Sequence, residues 1–77
     1  MNIIMDDLLI DRMDHLRRRL LLAIATGQRV AHLRRESATL LAAMGDYWAT
    51  TGQQIDGDLA DAYRGLTDAV IEAGRVS

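Results

Sequence analysis

A small all-α domain is what this chain predicts: a helical hairpin followed by a third helix, packed as a three-helix domain. Three observations carry the reading. Apolar residues recur at steps of three and four in three separate segments, no segment alternates polar and apolar residues over a useful length, and the 77 residues include no proline. A second copy packed on the same stripes would extend the domain into a larger bundle, so dimerisation belongs to the expectation.

The first helix is expected over about residues 6–25. Leu9, Met13, Leu16, Leu20 and Ala23 form its apolar stripe, and Leu8, Leu21, Leu22 and Ile24 widen it. Asp6 and Asp7 complement the positive end of the helix dipole, and Asp14 is spaced to meet Arg17 or Arg18 one turn later.

Thr26-Gly27-Gln28 offers the first break, because glycine readily takes the left-handed conformation that closes a helix. The second helix is expected over about residues 29–49, with Val30, Leu33, Ser37, Leu40, Leu41, Met44 and Trp48 at helical spacing. The stripe also runs through Ala23, Gly27 and Val30 with little loss of phase, and an interior glycine costs only about 1 kcal/mol relative to alanine. The alternative is therefore one long continuous helix plus a short C-terminal one.

Residues 50–57 gather polar turn formers and two glycines and read as a linker. The third helix follows over about residues 58–73, with Asp56 or Asp58 as N-cap, and Asp61 completes a shortened capping box if Asp58 takes that role. Leu59, Ala62, Tyr63, Leu66, Ala69, Val70 and Ala73 make its buried face, Gly65 lets a neighbour approach, and Gly74 is the expected terminator.

Composition narrows the classes of function. A chain of 77 residues forms one domain that buries only roughly 60% of its unfolded surface, which favours help from a second copy or another protein. Without cysteine there is neither a disulfide framework nor a thiolate metal site, and the apolar run at residues 20–25 is far short of the roughly 20 residues that span a bilayer. No secretory signal is readable at the start, so a cytoplasmic location is expected, with no membrane. The net charge of −2 hides an asymmetry: residues 1–45 carry seven arginines and five acids, and residues 46–77 carry two arginines and six acids. Arginine to the exclusion of lysine, with abundant alanine, matches a GC-rich bacterial or phage genome.

The arginines are the first functional candidates. Arg17, Arg18 and Arg19 form one run and Arg34 and Arg35 another, with Arg12 and Arg29 nearby, and on a hairpin they would make a positive surface for carboxylates or phosphates. The plainer reading is a solvated rim whose stems cover the apolar seam and whose charge Asp14 and Glu36 partly neutralise. Gln28, Arg29, His32, Arg35 and Glu36 would be the groove-facing set of a helix-turn-helix, but the net acidic balance and the lack of two suitable short helices weaken that option. Asp11 with His15, and His32 with Glu36, are spaced four apart, yet a hairpin centred near Gly27 keeps the two pairs from meeting within one chain; no metal or other cofactor is assigned. Of the adjacent Tyr47 and Trp48, only one can point inward, which leaves the other for the rim or an interface. Ile3, Ile4 and Met5, with Leu8, Leu21, Ile24, Ile55 and Ile71, exceed a narrow seam and would leave an apolar patch for a partner to cover.

The segment Ile10-Asp11-Arg12-Met13-Asp14 is similar to the beginning of the first helix of the helical chorismate mutases. The similarity covers about five residues, and that family's later lysine has no counterpart in a chain without lysine, so no membership is assigned. What it would imply is an enzyme in which arginines hold an anionic substrate between helices. No catalytic residue is assigned.

The sequence-level expectation is a cytoplasmic protein–protein interaction module: a subunit, adaptor or inhibitor of a larger bacterial or phage protein, or a homodimer. Its contact would consist of Leu9, Met13, Leu16 and Leu20 with Tyr47 or Trp48, oriented by Arg17, Arg18, Arg34 and Arg35. A nucleic-acid-binding regulator that uses Arg17, Arg18, Arg29, Arg34 and Arg35 is the alternative, and an enzyme is the least supported.

Overall fold

The computed structural model describes residues 3–76, with side chains from residue 6 onward. Three helices make up the fold: α1 (Ile3–Thr26), α2 (Ala31–Thr51) and α3 (Gly57–Val76). No strand occurs among the described residues. The chain is a compact three-helix all-α domain, and the continuous-helix alternative does not hold.

Local chemistry explains where the helices end. Thr-Gly-Gln occurs twice, at residues 26–28 and 51–53, and closes a helix each time. Gly27 and Gly52 take φ of 72° and 70°, the left-handed region that glycine enters without a Cβ penalty. The following glutamine then donates its backbone N–H back across the last turn, from Gln28 to the Ala23 carbonyl at 2.9 Å and from Gln53 to the Trp48 carbonyl at 3.1 Å. Each threonine hydroxyl donates to the carbonyl four residues earlier, Thr26 to Leu22 at 2.8 Å and Thr51 to Tyr47 at 3.0 Å. Thr50 and Thr51 are consequently helical, and the expected linker over 50–57 shrinks to residues 52–56.

Two other boundaries differ from expectation. The second helix starts at Ala31 rather than residue 29, because Val30 occupies the N-cap with no side-chain oxygen to bond, and its carbonyl accepts the Arg34 N–H at 2.8 Å. The third helix starts at Gly57, with the Asp56 carbonyl accepting the Ala60 N–H at 3.4 Å, so Asp56 stands before the helix and Asp58 lies within the first turn instead of capping it. Gly74 does not terminate this helix, which continues to Val76.

Packing centres on α3. Its buried face is Leu59, Ala62, Leu66, Ala69 and Ala73, and the small side chains let it lie close along α1, with which it makes the largest helix–helix contact. The Arg17 stem crosses Gly65, and Val76 shares a groove with Ala23 and Gly27, so α1 and α3 run parallel. Helix α2 runs back between them: Arg34 near its start lies over Gly74, and Trp48 near its end meets Tyr63. Met13, Leu16, Leu20 and Ala23 from α1, Leu41, Met44 and Trp48 from α2, and Val30 from the turn complete the core.

Candidate functional site

The core absorbs most of the residues that the sequence offered to a partner. Met13, Leu16 and Leu20 are fully buried under α3 and α2, and Leu9 packs against the same cluster half-buried. In the folded domain these side chains face the chain's own helices, so the stripe cannot also be the surface shown to another molecule. The same periodicity serves internal and external packing equally well, which is why the sequence alone could not separate them.

The two adjacent aromatics divide as their spacing requires. Trp48 is buried and meets Tyr63 edge-on, with ring centroids 5.3 Å apart and planes at 63°. Tyr63 is half-buried and donates its hydroxyl to the Leu41 carbonyl at 3.3 Å. Tyr47 is 57% exposed and remains available to a partner.

The arginines do not converge on one surface. Arg12 reaches from α1 to Glu36 on α2 at 2.6 Å. Arg17 folds its stem over Gly65 and lines an open groove of about 430 Å³ with Ile10, Asp14, Asp58, Asp61 and Ala62. Arg34 lays its guanidinium over Gly74. Three arginines thus lie across from one helix to another along different seams with their side chains still exposed, and Arg18, Arg19, Arg29 and Arg35 are exposed as well. This is the rim role in which long stems cover the boundary of an apolar core.

The groove beside Arg17 holds three carboxylates and one guanidinium, an arrangement with an excess of negative charge rather than a cradle for an anion. His32 lies 3.9 Å from Glu36, as their spacing implied, and is largely open to solvent. Among the described residues no group of three or more His, Asp and Glu side chains is placed to hold a metal ion.

What remains outward is an apolar set that the core does not cover. Leu8, Leu22, Tyr47, Ile71 and Val76 are each more than half exposed, and Leu21 somewhat less. Ile24 and Ile55, expected among them, pack partly against the core instead. The patch expected from Ile3, Ile4 and Met5 lies outside the described side chains. Leu22 and Val76 had no place in the expected contact set. The signal for Leu22 was its position on the helix, half a turn away from Leu16 and Leu20.

Fold and surface together define the class as a three-helix domain with straps of arginine and an uncovered apolar fringe. No protein-family model matches the chain, and neither a curated protein nor a solved structure matches it. No helix among the described residues is long and apolar enough to cross a membrane.

Proposed function

We propose that the chain is a cytoplasmic protein–protein interaction module of bacterial or phage origin: a small subunit, adaptor or inhibitor that works by having its outward apolar side chains covered by a protein partner. The observation that supports this is the number of large apolar residues left outside so small a core, with Leu8 at 58%, Leu22 at 63% and Tyr47 at 57% exposure. Isolated exposed leucines are ordinary on protein surfaces. Here, however, the accessible area is 5517 Å², against roughly 4,700 Å² for a compact monomer of the same 8.6 kDa mass. Covering several of these side chains would offset that excess.

The exposed arginines and acids then set orientation and encounter rate rather than the bulk of the affinity. A nucleic-acid-binding role finds less support, because three arginines engage other helices and the others spread over different sides of the domain. The test is a pull-down with the tagged chain from lysate of the source organism at low and moderate salt, with nucleic acid assayed in parallel. A stoichiometric protein retained at both salts is the expected result. Salt-sensitive nucleic acid with no retained protein would replace this reading with the regulator.

A further inference from the structure

Helix α1 carries a second stripe, on the side turned away from α2 and α3. Its core-facing residues are Leu9, Met13, Leu16 and Leu20; the outward face passes through Leu8, Asp11, His15, Arg18 and Leu22, at alternating steps of three and four. All five are exposed. Steps of this kind define a seam along a helix that another helix can pack against. The seam is apolar at its ends and charged in its middle. The formal charge is ordered, with Asp7 and Asp11 in the first half and Arg18 in the second, and His15 lies between them.

Such a face is complementary to itself when reversed. Laid antiparallel against a second copy, with the twofold axis level with Met13, Asp11 falls opposite His15 of the other copy and Leu8 falls opposite Arg18. Asp7 lies on the same flank as the other copy's Arg18, within one residue of its level. Each acidic first half then meets the other copy's Arg18, Leu8 is covered by the opposing helix, and Leu22 falls level with that helix's first turn. A parallel arrangement would instead stack Asp7 on Asp7 and Arg18 on Arg18, which like-charge repulsion disfavours. Among the described residues none of Asp7, Asp11 and Arg18 makes an ion pair within its own chain, so these charges are available to a partner.

We infer that the outward face of α1 is an isologous interface on which two copies of this chain pair antiparallel through Leu8, Asp11, His15, Arg18 and Leu22. The inference rests on the interaction-module reading and names its partner as a second copy. A single helix face buries less than the roughly 1,200 Å² of a standard interface, which places the pair among weak, transient associations.

Sedimentation equilibrium of the full chain, from micromolar to several hundred micromolar, tests this. The wild type should pass from monomer to dimer, and Leu22→Asp should weaken the association at least tenfold with unchanged helicity, because Leu22 lies outside the core. Asp7→Arg and Arg18→Asp should each weaken it several-fold through like-charge pairs, and an equimolar mixture of the two variants should recover it. Since the chain has no cysteine, a short thiol cross-linker should join Leu8→Cys copies to Arg18→Cys copies but not Leu8→Cys copies to one another, whose positions would be ~15 Å apart along the axis. A wild type that stays monomeric throughout, a dimer indifferent to Leu22→Asp, or self-linking of Leu8→Cys would each overturn the inference. The broader reading fails separately: a pull-down that retains a stoichiometric protein from a monomeric chain leaves the module standing without the dimer, and a dimer that retains nothing leaves the dimer without the adaptor.

Discussion

Ser37 lies at the centre of the α2 stripe with none of its surface exposed, and its hydroxyl has no hydrogen-bond partner among the described residues. An unpaired buried hydroxyl costs about 1–3 kcal/mol, and serine is also a weaker helix former than alanine. Ser37→Ala should therefore stabilise the domain by about 1 kcal/mol, which a thermal melt would show as a rise of roughly 4–8 °C. A lower melting temperature would mean that the hydroxyl is bonded in solution. Leu16 and Leu20 lie at the opposite extreme. Leu16→Asp with Leu20→Asp places two carboxylates where neither water nor a counter-charge reaches, so far-UV ellipticity should collapse. A double variant that kept full helicity would show that these residues are not the core. All three positions were legible as members of a stripe, but which of them was a strain and which an anchor depended on neighbours far away in sequence.

At the scale of the helix, Gly27 in the first Thr-Gly-Gln closure and Gly65 inside α3 respond in opposite directions to the same substitution. Gly27 has φ of 72°, so Gly27→Ala imposes left-handed backbone on an alanine and should cost about 1 kcal/mol even though its Cβ meets no neighbour. Gly65 has ordinary helical backbone. A Cβ there would come within 3.2 Å of the Arg17 stem, which is exposed and able to move aside. Gly65→Ala should thus be stabilising, by about 0.5–1 kcal/mol, as the interior helix gains propensity. Chemical denaturation of the two variants side by side measures both, and a Gly65→Ala chain less stable than wild type would show that Arg17 is held fast over α3. The sequence pointed to Gly27 as a break and to Gly65 as a place of close approach. It misplaced the end at Gly74, because a glycine near the end of a stripe stops a helix only when the backbone turns left-handed there, and Gly74 is absent from the positive-φ glycines.

For the whole molecule the question is whether so thin a core acts as a unit. The Cα radius of gyration is 12.8 Å, above the roughly 11.5 Å of a compact domain of this length, and the longest dimension is 41 Å. Helix α3 nonetheless touches both other helices along its length, and Trp48 sits where α2 meets α3. Unfolding should therefore be two-state, with the emission of the single tryptophan and the far-UV ellipticity changing at the same denaturant concentration. Separate midpoints would show α2 detaching from an α1–α3 pair. The Arg12–Glu36 bridge joins α1 to α2 at the surface with both side chains well exposed, so Glu36→Gln should shift the common midpoint only slightly, by under about 1 kcal/mol.

The sequence by itself determined the all-α class of fold, because helical periodicity is a local property carried by residues within a turn or two of each other; the break at Gly27, and with it the number of helices, stayed open against one continuous helix until the structure placed Gly27 in the left-handed region. The sequence also determined that Tyr47 and Trp48 would part, since neighbours on a helix point in different directions. Only the tertiary structure decided that Met13, Leu16 and Leu20 are used up internally, that Arg12, Arg17 and Arg34 lie across from one helix to another, and that Leu8, Leu22, Tyr47, Ile71 and Val76 are left uncovered. Those outcomes depend on which helix lies beside which and in what direction, and a periodic stripe carries no record of the surface that will cover it.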